Sequence, residues 1–234
     1  MTKDTSPTGI GSGVSIPDQF AAVARTPGAT DGHDFAALLA QVAGESAFKP
    51  HAVNKQTGAA GPFQFVKNTW LSLIRDHGAA LGVKPELLKQ IKGDGHGRLT
   101  IADPTALKEV LDLRHDIGLS AKMAAKYLDD NKAHLGHMLH REPTEAEVQI
   151  SFILGATGAA RLIEAAKNSP ATPVEDVVPK AVAANRTLFH DRQGKTLTAG
   201  EAVAHLAARY RADKAKFAAY STPPAPPSAS KIEA

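Results

Sequence analysis

Apolar residues recur at helical spacing over most of this chain. Phe35, Leu38, Leu39 and Val42 fall on one side of a segment that opens near Asp34, which is the repeat of an amphipathic helix. The same period predicts helices over about 18–25, with Phe20, Val23 and Ala24 inward, and over 68–80, with Trp70, Leu73 and Ile74 inward. Further helices are expected over 84–92, 103–113 and 120–139, the last with Met123, Tyr127 and Leu135 among its inward residues. A helix from about 145 to 166 is interrupted at Gly155 and Gly158, a short one spans 173–185, and a final one spans 199–218. Start signals agree with this pattern. Asp31 or Asp34 can cap the helix that carries Phe35, Asp103 precedes Pro104, and Thr144 stands three residues before Glu147. No strand-rich region is evident, so the fold class expected is all-α.

Breaks in the pattern carry as much information. From Ser46 to Gly61, Pro50, Gly58 and Gly61 punctuate a polar, small-residue segment that reads as a long loop or an irregular hairpin. A loop of that length inside a compact domain is usually functional. GDGHG at 93–97 is a turn without the ligand count of a calcium loop, and LFHDRQGKTLT reads as a loop or weak hairpin. Residues 1–16 are expected to be a disordered arm, 17–218 the folded domain, and 219–234 a disordered Pro/Ser-rich tail.

Composition narrows the class. The 234 residues are 43% hydrophobic with only 5% aromatic, enough for one sizeable core packed through small residues. The net charge of +3 suits an anionic polymer, but no concentrated basic run points to nucleic acid. Cysteine is absent, which excludes disulfides and thiolate metal sites. No apolar run is long enough for a membrane span. The opening stretch MTKDTSPTGIGSGVSIPDQF has no apolar signal core; this leaves a trimmed chain or another export route as expectations.

Chemistry concentrates at Glu45, three residues beyond Val42 on the apolar helix. Burial and the negative end of the helix dipole would both hold its proton on, as a general acid requires. His134, His137 and His140 recur every three residues, but no second cluster completes a metal site. No metal or cofactor is expected.

The residues that follow Glu45 form a pattern. Glu45-Ser46-x-Phe48-x-Pro50-x-Ala52 and then Gly58-Ala59-x-Gly61-x-x-Gln64 fix nine positions over twenty residues. They resemble the signature of lytic transglycosylases of the soluble type, in the lysozyme superfamily. GPFQFVKNTW resembles a variant with an aromatic before the Gln. LRHDIGLSAKMAAKYLDDN, SFILGATGAARLI and AANRTLFHDRQGKTLTAGEAVAHL resemble later portions of such proteins, so the likeness covers about residues 30–212.

That resemblance implies a lysozyme-like helical domain with a glycan-binding cleft. It also implies cleavage of the β-1,4 bond between N-acetylmuramic acid and N-acetylglucosamine of peptidoglycan, leaving 1,6-anhydromuramic ends. Glu45 matches the family's single catalytic residue, acting as acid on the glycosidic oxygen and then as base on the C6 hydroxyl. No Asp or Glu lies between Glu45 and Asp76, which suits one carboxylate rather than the usual pair. Gln64 matches the family's cleft glutamine. Ser46, Phe63, Phe65 and Tyr127 are further substrate-binding candidates, with local orientation or core packing as their alternatives. Asn54 or Lys55 stands where relatives often carry a positioning serine. Where many relatives have Ala-Tyr-Asn-Ala-Gly, this chain has Ser151-Phe152-Ile153-Leu154-Gly155, so those tyrosine and asparagine contacts do not carry over. The expected partner is peptidoglycan, the expected state a monomer, and the expected location the periplasm or cell envelope. A water-using muramidase and a non-catalytic glycan-binding module are the alternatives.

Overall fold

Asp34 accepts a hydrogen bond from the Ala36 amide at 3.0 Å and starts the buried helix that carries Glu45. The computed structural model describes residues 16–24 and 34–221. In chain order the helices are α1 (Asp18–Ala24), α2 (Phe35–Ser46), α3 (Lys67–His77) and α4 (Pro85–Leu88). The strands β1 (Lys92–Gly93) and β2 (Leu99–Thr100) follow, then α5 (Pro104–Asp112), a 3-10 turn at Leu113–His115, and α6 (Ile117–Leu139). The rest comprises α7 (Glu145–Asn168), α8 (Val174–Val177), α9 (Pro179–Ala184), α10 (Arg186–Phe189) and α11 (Ala199–Lys216), closed by a 3-10 turn at Ala218–Tyr220. The fold is all-α, as the periodicity predicts, with one small ribbon.

The differences have local causes. α2 is not a surface helix with one apolar face, because every residue from Phe35 to Val42 is buried. Its alanines fill the sides that polar residues would take on an exposed helix. The helix expected over 84–92 stops at Leu88, and the chain instead pairs Lys92 with Thr100 and Gly93 with Leu99 across the GDGHG turn. Strands this short leave no alternation to read. α6 begins three residues earlier than its pattern suggests, because Asp116 accepts from the Leu119 amide as its cap. Thr144 and Glu147 form the expected capping box on α7. The segment 173–185 divides into α8 and α9, and His190 bridges Thr196 in the expected weak hairpin.

Most of the arm expected over 1–16, and the candidates Arg25 and Asp31, lie outside the described residues. Ile16 is buried in the core rather than part of a disordered arm. Residues 219–221 of the expected tail are described, and Tyr220 packs against the core. No helix among the described residues is long and apolar enough to cross a membrane.

Apolar side chains collect in two cores. The first joins α1, α2, α3 and the first half of α6 around Trp70, Leu38, Leu71 and Met123. Trp70 is fully buried, and its indole N–H donates to the Val110 carbonyl at 2.7 Å. The second joins Leu135, Ile150 and Leu162 to Val174, Phe189 and Leu206 of the later helices. α7 packs on α6 and α11, and α11 also lies against α2. The seam between the two cores therefore runs beside the C-terminal half of α2.

Gly155 interrupts α7 with φ 69° and ψ 161°, a region that side chains other than glycine's do not tolerate. A Cβ there would meet no neighbour, so the strain of a substitution would be purely backbone. Gly155→Ala is expected to lower the unfolding free energy by about 1–3 kcal/mol, read from urea unfolding. An unchanged midpoint would mean that α7 can run straight through.

Candidate active site

Glu45 occupies the last turn of α2, and the chain reverses immediately after it. Ala47 caps the helix with φ 49° and ψ 43°, and Phe48 follows at φ 61°. Two consecutive non-glycine residues in the left-handed region are uncommon and need support from the surrounding structure. Phe48 provides it, with its ring edge-on to Phe20 at 5.2 Å and to Phe217 at 5.8 Å. Ser46 is buried, and its hydroxyl donates to the Val42 carbonyl at 3.2 Å. Its role is to finish the helix from inside.

The segment that returns from this turn is an irregular hairpin with bridges from Val53 to Ala60 and from Ala60 to Phe65. Asn54 builds its tip, with Oδ1 accepting from the amides of Gln56 and Thr57. Gln64 sits at φ 49°, and its amide nitrogen donates to the carbonyls of Ala52 and Gly61 at 3.2 and 2.8 Å. The glutamine thus ties both limbs of the hairpin together.

Arg114, in the 3-10 turn before α6, fastens this hairpin to the body of the protein. Its guanidinium donates to the carbonyls of Gly58 and Phe65, both at 3.0 Å, and to Leu111 at 2.9 Å. His115 Nδ1 lies 3.0 Å from the Pro50 carbonyl, adding a second tether. Gly61 passes so close that a Cβ there would sit 2.0 Å from the Arg114 carbonyl oxygen.

At the seam between the two cores lies a cavity of about 140 Å³. Ala40, Gln41, Gly44 and Glu45 of α2 form one wall, Gln149, Ile150 and Ile153 of α7 another, and Arg209, Tyr210 and Asp213 of α11 a third. Asn185 and Leu188 complete it. The side chain of Glu45 is exposed at the open mouth, with α7 and α11 forming the facing walls. Partial desolvation holds its carboxyl above the usual carboxylate range, and the Arg209 cation opposes this in part. Arg209 Nε lies 3.6 Å from Asp213 Oδ2, and Lys216 Nζ holds Asp213 Oδ1 at 2.6 Å. The Tyr210 hydroxyl donates to Glu145 at 2.6 Å.

Of the candidate catalytic and substrate-binding residues, Glu45 lines this cavity, and Ser46, Asn54, Phe63, Gln64, Phe65 and Tyr127 do not. Phe63 and Phe65 are buried in the first core rather than forming open walls. Phe65 meets Trp70, Tyr127 and Phe152 with ring centres 5.4, 6.1 and 6.3 Å apart. Tyr127 and Phe152, 5.1 Å apart, form the half-buried edge of that cluster. His134 and His137 are exposed on α6 and His140 is exposed at its C-cap, and no group of three potential metal ligands occurs among the described residues. The cavity residues of α11 were invisible to sequence reasoning, because only packing brings them to α2. Gln41 did leave a trace, as a polar residue inside an apolar stripe one turn before Glu45. It is buried, and both amide atoms lack a partner. No family model matches the chain.

Two outcomes are expected from this geometry. Because Glu45 is more easily protonated folded than unfolded, folded stability should fall as pH rises through its ordinary value and up to its raised one. Glu45→Gln should therefore melt higher than the parent protein near neutrality, with the difference vanishing below the ordinary carboxylate range. Thermal unfolding followed across pH measures this. Gly61→Ala should displace the hairpin from Arg114, read as faster exchange of the Asn54 and Ala60 amides, whose N–H groups bond the Ala59 and Phe65 carbonyls within the hairpin, with the middle of α6 unaffected.

Proposed function

We propose that the protein cleaves glycan strands of peptidoglycan as a lytic transglycosylase, with Glu45 as its acid and base. The observation that carries this reading is a carboxyl group at the mouth of a cavity, where partial desolvation raises its affinity for a proton. It lies in the sequence pattern that resembles that family's catalytic segment. The cavity is too small for a disaccharide, so the strand would lie across its mouth with the scissile oxygen over Glu45.

In the first step the Glu45 proton passes to the glycosidic oxygen as the bond to the anomeric carbon breaks. The substrate's own acetamido group would support the cationic centre. Glu45, now a carboxylate, takes the proton of the C6 hydroxyl as that oxygen closes onto the anomeric carbon. Gln64 would serve the reaction by holding the hairpin, with its side-chain oxygen as the atom left to meet substrate. Tyr127 and Phe152 offer a partly open aromatic edge for a sugar face.

A hydrolytic muramidase is the second reading, favoured by one observation. Asp213 brings a second carboxylate to the same cavity as Glu45. Both of its oxygens face cations, however, Lys216 on one and Arg209 on the other. That engagement suits a structural counter-ion better than a base for water.

Two substitutions separate these readings on purified sacculi. Glu45→Gln should reduce turbidity loss by at least about 100-fold, and unchanged activity would end the catalytic proposal. Asp213→Asn should leave anhydro ends as the product by mass spectrometry of released muropeptides. Reducing muramic ends in the parent protein would replace the transglycosylase with the muramidase.

A further inference from the structure

We propose that Arg209, loosely held by Asp213 one turn along α11, is the positioning residue that governs proton exchange at Glu45. This rests on the reading of Glu45 as acid and base, and it assigns a role to a helix that the sequence pattern leaves out. Arg209 is the one cationic side chain among the described residues lining the cavity. With Glu45 protonated, Arg209 and Asp213 balance each other. Once Glu45 gives up its proton, the cavity holds two carboxylates beside a single guanidinium. Beyond the water at the mouth, the new anion is stabilised as far as Arg209 can turn toward it.

The geometry leaves Arg209 free to do so. Its contact to Asp213 is long, at 3.6 Å, while Lys216 holds the other oxygen of Asp213 at 2.6 Å. Asp213 therefore keeps a firm partner when Arg209 moves. Arg209 is about half exposed, with 48% of its side chain open to solvent, so its motion disturbs neither core. An exposed pair of this spacing adds little to helix stability, which leaves the charge itself as its contribution. The other groups facing Glu45 cannot substitute. Gln149 and Asn185 are uncharged, and the Tyr210 hydroxyl is bound to Glu145. The direction of the Arg209 effect on the Glu45 carboxyl agrees, since the cation favours the ionised form.

The signs of three substitutions test this. Arg209→Gln should move the titration of Glu45 to higher pH by roughly half a pH unit or more, and Arg209→Lys should return most of the way. Asp213→Asn should move it to lower pH, because it removes a like charge and releases the guanidinium. The titration is read from the carboxyl carbon of isotopically labelled Glu45 in the full chain, with no substrate present. The descending limb of the pH profile for turnover on sacculi should follow the same order. A Glu45 titration unmoved by Arg209→Gln, or one that Asp213→Asn moves upward, would overturn the proposal. If the titration shifts as stated while Glu45→Gln leaves turnover intact, the coupling stands and the catalytic reading of Glu45 falls. If the acid is right and Arg209 plays no part, Glu45→Gln is inactive while the Arg209 variants keep the parent profile.

Discussion

A buried arginine bound to main-chain carbonyls holds the irregular segment after α2 to the body of the protein. Arg114 spans three segments, the end of α5, the tip of the hairpin and its return limb. Burial favours loss of its charge and pulls its pKa below the ordinary arginine value, but an arginine remains a cation in proteins. Its donors must therefore be satisfied in place. Removing any one of those carbonyl partners would leave a buried charge with an unmet donor, costing on the order of 1–3 kcal/mol or more. The peptide oxygen of Arg114 accepts from the Ser120 hydroxyl at 2.7 Å, so the same residue also locks the start of α6.

This clamp explains why a polar stretch without regular structure can be well placed. Between Ser46 and Phe65 the chain has isolated bridges but no strand long enough to hold itself. Its order comes from outside, through Arg114, His115 and the Gln64 amide. The unfavourable left-handed conformations at Ala47, Phe48 and Gln64 all fall on this stretch. Strain of this kind persists where packing over-determines the backbone, and it gathers at functional sites. Here it lets the chain turn within three residues of Glu45 and come back beside the same helix.

The position of Glu45 follows from a different feature, the meeting of two cores. α2 is buried on all sides as far as Val42 and emerges only in its last turn. α7 and α11 run past that point, and their apolar residues close the cavity while Arg209 and Asp213 supply its charge. The carboxyl group here is desolvated enough for its pKa to rise, yet remains open to water at the mouth. The unpartnered amide of Gln41, one turn deeper, shows how little polar compensation the interior of α2 offers.

Much of this was legible in the residues themselves. Helix period, the Asp34, Asp103 and Thr144 caps, and the break at Gly155 are local properties, set by side chains within a few positions of one another. For the same reason Glu45 stood out, as a charge at the end of an apolar stripe followed by a glycine-marked loop. Other features could be decided only by packing. Whether Phe63 and Phe65 face solvent or the core depends on the α6 and α7 residues laid against them, and Ser46 turns inward because α2 ends beneath the hairpin. The cation beside Glu45 comes from α11, far along the chain. A sequence records which side chains exist and what their neighbours in the chain favour. Burial, and the charges a carboxyl group meets across a cavity, are set by elements distant in the chain, and only the tertiary structure brings those together.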